Sequence, residues 1–287
     1  MSCAIGFSRW VFLGTAQEPG LVEGCEAAAA KARLEAEYIG TTEVDALIQT
    51  NSAAFSRSRV AVPSRVQPDA TPLTSSRPLL LGHRGASKYA PQNTVAAFKL
   101  ALDHGCDGFE FDVRYTRDFR PVICHNPLYR RRRIEKHLLS EFSLPCADEV
   151  IGSFLGHAFL DIELKASGQL ALILNALRAA DRKKFVISSF LPDVLQAVHA
   201  SDNDIPLGII CENARQLRRW PSLPIRSVIV ERKLATNSLV KELHSADKQV
   251  FVWTVNQQKE MFRLSELEVD ALISDDTLLL ARTFGEK

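Results

Sequence analysis

Beyond Pro78 the chain alternates short runs of β-branched and other apolar residues with longer amphipathic stretches, beginning LLLGHRG, NTVAAFKLALDHG and GFEFDVRYT. Short apolar or alternating runs predict strands, and apolar positions recurring three and four apart predict helices. By these criteria eight strands are expected: Leu79 to Gly82, Phe109 to Tyr115, Phe159 to Lys165, Phe185 to Ser189, Leu207 to Cys211, Ser227 to Glu231, Val250 to Val255 and Ala271 to Ser274. Helices are expected at Gly168 to Ala180, Pro192 to Ala200, Thr236 to Ala246 and Gln257 to Glu268. Eight strand-helix units within roughly two hundred residues predict an α/β fold, a (β/α)8 TIM barrel near the lower end of the usual size. The same alternation feeds an open doubly wound sheet, but no glycine-rich phosphate loop marks one here.

Polar clusters close several of these apolar runs: His83-Arg84-Gly85, Glu110-Phe111-Asp112 and Glu163-Leu164-Lys165, with His125 after a further short run. In a strand, residues two apart share a face, so Glu110 with Asp112, and Glu163 with Lys165, each project to one place. In a TIM barrel the strand ends carry the active site. Hard divalent cations prefer carboxylate oxygens, so Glu110, Asp112 and Glu163 form a candidate ligand set for Ca²⁺ or Mg²⁺. Arg84 and Lys165 are suited to hold anionic phosphoryl oxygens. Imidazole titrates near neutrality, which leaves one of His83 and His125 to accept a proton from the attacking group and the other to protonate the leaving alkoxide. Singly, each is an ordinary residue for a strand end; together they point to metal-assisted chemistry on a phosphate ester.

Residues 79–287 resemble the glycerophosphodiester phosphodiesterase family. The resemblance rests on LGHRGASKYAPQNTVAAFKLALDHGCDGFEFDVRYTRDFRPVICHNP, on LDIELK and on VFVWTVNQQKEMFRLSELEVDALISDD, which occur in the family's order. It implies a barrel hydrolase that uses a divalent metal ion to split glycerophosphodiesters into glycerol 3-phosphate and an alcohol. It further implies His83 and His125 as the acid-base pair, Glu110, Asp112 and Glu163 as metal ligands, Arg84 and Lys165 as phosphate binders, and Trp253 packing near the glycerol moiety. The alternatives are a non-hydrolytic barrel that binds phosphodiesters, and a lysophospholipid-directed phospholipase or lyase that forms a cyclic phosphate.

The chain departs from the family pattern in four places. Gln92 stands where the family usually has glutamate, and Asn126 follows His125 where aspartate is common. The turn Asp118-Phe119-Arg120-Pro121 lacks a glycine, and the segment from His125 to Pro145 is short and basic, with arginine at each position from Arg130 to Arg133. The arginine run is read as a solvated turn, or as a patch that attracts anionic substrates or lipid headgroups.

Residues 1–50 are expected to form a partly helical extension, with helices over 21–38 and from Thr42 to Gln49, and 51–78, rich in serine, arginine and proline, a linker. A chain of 287 residues, 46% hydrophobic, has material for one sizeable core. Its net charge of +1 argues against nucleic acid as a partner. The six cysteines follow no disulfide or metal-binding spacing, which fits reduced thiols. No spanning helix or signal peptide is read, since the apolar stretch Trp10 to Leu13 is too brief, and a soluble cytoplasmic enzyme acting on a small molecule is expected.

Overall fold

Every expected strand forms. The structure is a computed structural model that describes residues 77–285; the helices expected over 21–38 and 42–49, and nearly all of the 51–78 linker, lie outside the described residues. The strands, in chain order, are β1 (Leu79–Gly82), β2 (Gly108–Tyr115), β3 (Pro121–Ile123), β4 (Leu128–Tyr129), β5 (Arg132–Arg133), β6 (Phe159–Leu164), β7 (Phe185–Ser189), β8 (Leu207–Cys211), β9 (Ser227–Glu231), β10 (Gln249–Trp253) and β11 (Ala271–Ser274). β1 pairs in parallel with both β2 and β11, so the sheet closes into a barrel of eight parallel strands. β3 adds antiparallel to β2, and β4 with β5 makes a separate hairpin.

The helices are α1 (Val95–Asp103), α2 (Ala147–Phe154), α3 (Ala171–Leu177), α4 (Pro192–Ser201), α5 (Ala214–Leu217), α6 (Asn237–Ser245), α7 (Gln258–Glu266) and α8 (Thr277–Phe284). Thr94, Thr236 and Asp276 start their helices by accepting a backbone N–H with the side chain, which satisfies a donor left over in the first turn. α3 is shorter at both ends than the expected 168–180; at its start Leu170 brings no capping side chain and Gly168 packs its backbone on the Tyr115 ring. α2 falls outside the expected set, yet its Val150, Ile151 and Phe154 face is buried.

Strand alternation sorts the side chains into two layers. Phe109, Phe111 and Val113 of β2 and Leu160, Ile162 and Leu164 of β6 belong to the cluster shared with the helices. Phe98 of α1 stacks on Phe109 at 4.3 Å, and Phe154 of α2 meets Phe109 edge-on at 5.0 Å. Leu81, Val186, Ile210, Ile229, Phe251 and Ile273 form the smaller cluster that fills the barrel. The intervening positions of β2 and β6 are Glu110, Asp112, Asp161 and Glu163, all buried. The hydrophobic packing of Phe109 and Phe111 outward is therefore what forces the carboxylates of the same strand inward. Among the described residues no helix is long and apolar enough to cross a membrane.

Candidate active site

At the carboxyl end of β1 the backbone turns sharply, with Arg84 at φ 55° and Gly85 at φ 78°. A Cβ at position 85 would lie 2.6 Å from the Ala97 carbonyl carbon, so only glycine lets α1 pack this close. The left-handed Arg84 sends its N–H to Glu110 Oε2 at 2.8 Å, and a strained non-glycine backbone of this kind is typical of functional sites. Its guanidinium reaches Asp112, with Nε 3.3 Å from Oδ2, and donates to Gln92 Oε1 at 2.8 Å. Gln92 thus holds the arginine with a neutral amide where the resemblance leads one to expect a carboxylate.

Glu110, Asp112 and Glu163 each bring a carboxylate oxygen to one point, all within 4.8 Å of one another. β2 and β6 pair Glu110 with Asp161 and Asp112 with Glu163, so the cluster is a direct product of sheet register. Lys165 follows β6 and places Nζ 2.6 Å from Glu163 Oε1 and 2.9 Å from Asp112 Oδ1. Asn93, itself left-handed and buried, donates to Asp112 Oδ2 at 2.7 Å and accepts the Asp112 N–H at 3.2 Å. Asp112 keeps a low proton affinity because, although burial opposes it, Lys165 and Arg84 outweigh that penalty. Burial, reinforced by Asp112 and Glu163, pushes Glu110 well above the carboxylate range. Burial also raises Glu163 to about 7, with Lys165 offsetting part of it, and raises Asp161 to about 7.

These groups fit a divalent cation. Once ionised, the three carboxylates would outnumber the charges of Arg84 and Lys165, a deficit that a cation would fill, and Glu110 Oε1 is buried without a hydrogen-bond partner. Hard oxygen donors of this kind suit Ca²⁺ or Mg²⁺.

The two histidines border the same cavity, of about 280 Å³. His83 Nδ1 lies 2.6 Å from Asp275 Oδ1, which makes Nδ1 the protonated nitrogen, and Nε2 lies 4.0 Å from Glu110 Oε2. Asp275 is fixed in turn by Ser87 Oγ at 2.9 Å and by Asn256 Nδ2 at 2.7 Å, and these partners together with His83 overcome burial to hold its carboxyl down at about 2. His125 lies beyond β3, where Arg114 Nε holds its carbonyl at 2.9 Å and Asn126 Oδ1 sits 2.9 Å from Nδ1. Partial burial lowers the proton affinity of His125, and Arg84 and Lys165 add to the effect. Opposite the charged groups the cavity has an apolar wall that includes Phe190, Ile229 and Trp253. Trp253 meets Phe190 edge-on at 5.8 Å, and its Nε1 is buried with no partner.

All eight residues singled out from the sequence therefore surround one cavity or its carboxylate floor. Four others escaped that reading: Asp275, Asn256, Asn93 and Asp161. Asp275 had a visible signal, a carboxylate directly after the last barrel strand, like the groups that follow the other strands.

Residues 83–144 and 159–279 match the model of the Glycerophosphoryl diester phosphodiesterase family. The chain is similar to the glycerophosphodiester phosphodiesterase of Caldanaerobacter subterraneus, 26% identical over 230 residues that cover 69% of this chain and 94% of the relative. Among solved structures it resembles an Oleispira antarctica phosphodiesterase in complex with the product sn-glycerol-3-phosphate, with TM-score 0.65, 23% identity, and coverage of 73% of this chain and 98% of the other. The Thermotoga maritima glycerophosphodiester phosphodiesterase gives TM-score 0.62 at 24% identity, over 71% of this chain and 97% of the other. With the family model spanning most of the barrel, from His83 to the start of α8, the chain belongs to the glycerophosphoryl diester phosphodiesterase family.

Proposed function

We propose that this enzyme hydrolyses glycerophosphodiesters to glycerol 3-phosphate and an alcohol with the help of a divalent metal ion, Ca²⁺ or Mg²⁺, held by Glu110, Asp112 and Glu163. The observation that carries the reading is the convergence of three buried carboxylates on one point, flanked by two cations and two histidines. A divalent cation there supplies positive charge to a phosphoryl oxygen and neutralises part of the charge that grows on it during attack.

The residues divide the remaining work. Arg84 and Lys165 bind the anionic oxygens of the diester. Burial and neighbouring cations favour the neutral form of His125, which suits it to take a proton from water as general base. His83, its ring fixed by Asp275 at 2.6 Å from Nδ1, is left to give a proton to the departing alkoxide. Trp253 and Phe190 offer the carbon skeleton of glycerol an apolar wall, and the unpartnered Nε1 offers a hydroxyl a donor. The Oleispira structure, with sn-glycerol-3-phosphate bound on the same fold, supports a glycerophosphate product.

Two substitutions separate the roles. Asp112→Asn lowers turnover by orders of magnitude and abolishes the rise in melting temperature produced by a divalent cation. His125→Ala keeps that rise and loses turnover by about 10²- to 10⁴-fold. Full turnover in Asp112→Asn would remove the metal assignment, and release of a cyclic phosphate in place of glycerol 3-phosphate would reassign the reaction to the lyase class.

A further inference from the structure

We propose that the loop layer beside His125 is a docking surface for an anionic lipid bilayer, with arginines at the tip of the β4–β5 hairpin and the exposed Phe119 and Leu128 as its contacts. The hairpin begins three residues after His125, at Leu128. It pairs Leu128 with Arg133 and Tyr129 with Arg132, so Arg130 and Arg131 form the two-residue turn, at φ 48° and 67°. Turns with two left-handed residues ordinarily take asparagine and glycine. Two arginines here sit at the exposed tip. Arg132 and Arg133 are engaged by Glu141 at 3.4 Å and Glu135 at 3.1 Å, whereas among the described residues Arg130 and Arg131 have no carboxylate partner.

The neighbouring β2–β3 turn repeats the pattern with an apolar residue. Phe119 stands at φ 59°, and it is 53% exposed. Glycine adopts that conformation without strain, so neither folding nor burial accounts for phenylalanine. Asp118 accepts the Leu139 N–H at 3.0 Å, and the Arg117 N–H donates to the His137 carbonyl at 2.9 Å, which ties this turn to the segment returning from the hairpin. Leu128, at the hairpin's base, is 49% exposed.

Guanidinium groups without a carboxylate partner, Arg130 lying 5.4 Å over the Tyr129 ring, together with exposed apolar side chains match a bilayer surface. Arginine pairs with lipid phosphates while the apolar residues enter the boundary with the acyl chains. Nucleic acid would use the arginines but leave Phe119 and Leu128 without a role, and a net charge of +1 provides little broad field for a polyanion. Docking at this surface would present the cavity mouth to the headgroup layer.

Sedimentation of the full chain with lipid vesicles tests the proposal without reference to catalysis. The protein is expected to pellet with vesicles of equal parts phosphatidylcholine and phosphatidylglycerol, and to stay in solution with phosphatidylcholine alone. Arg130→Ala/Arg131→Ala should weaken partitioning by about 30-fold. Phe119→Gly, which relieves the left-handed turn, should weaken it roughly tenfold. Both variants should turn over a soluble diester as the parent does. Equal binding to the two vesicle types, unchanged binding by the double variant, or capture of a double-stranded oligonucleotide in place of the mixed vesicles would overturn the proposal.

Discussion

Asp275 stands behind His83 as a fixed acceptor, 2.6 Å from Nδ1, and a carboxylate so placed sets both the tautomer and the orientation of the ring. Asp275→Asn keeps the size of the side chain but replaces the carboxylate that accepts from Nδ1 with an amide that can turn its NH₂ toward the ring. Turnover is expected to fall by about 10²- to 10⁴-fold, carried by kcat rather than KM, because the ring loses its fixed orientation. A variant with the parental kcat would show that Asp275 serves structure alone. His83, Glu110, Asp112, Glu163 and Lys165 were legible in the sequence because strand periodicity assigns each to a face and the motif places each near a strand end. The partnership of Asp275 with His83 spans 192 residues, and no local pattern records it. Asn93 was illegible for a related reason: its tie to Asp112 depends on the turn before α1, which the sequence marks only as polar.

The barrel presents the site through the packing of α1 and α2 on β2. Phe98 is fully buried between Phe109, Phe111 and Phe154. Phe98→Ala should reduce unfolding free energy by about 3 to 5 kcal/mol, measured by urea denaturation, because the lost contacts leave a cavity that the rigid sheet cannot fill. Gly85→Ala is expected to lose roughly 3 kcal/mol, since its Cβ would press on the Ala97 backbone at a positive φ. Tolerance of alanine at 85 would contradict the tight β1–α1 junction. At this level the strands were nearly all legible, five of the eight expected ranges coinciding with those formed, because buried parallel strands are short, apolar and sharply bounded. Helices read less clearly. α2 sits in a stretch whose short apolar face is recognised only once β2, β3 and α1 are there to cover it.

Across the whole molecule the buried carboxyls couple stability to pH. Asp161 and Glu163 ionise only at about 7 in the folded protein, well above the ordinary range near 4. Between those limits the folded state holds protons that the unfolded chain has released. In the presence of EDTA, stability is therefore expected to decline as pH rises through that window. Asp275 has the opposite sign: its contribution is full above the ordinary carboxylate range and is lost as pH falls towards about 2. A divalent cation should then raise the melting temperature more at about pH 8, above the value of about 7 for Glu163, than at about pH 5. An equal rise at both values would separate metal binding from these carboxylates. The most direct measurement is release of glycerol 3-phosphate from glycerophosphocholine and glycerophosphoethanolamine by the purified full chain, with Mg²⁺, Ca²⁺, Mn²⁺ or EDTA. Release that requires a divalent cation and stops with EDTA is predicted; undiminished release in EDTA, or folded protein that releases none with any of the three metals, would contradict metal-assisted hydrolysis at this site.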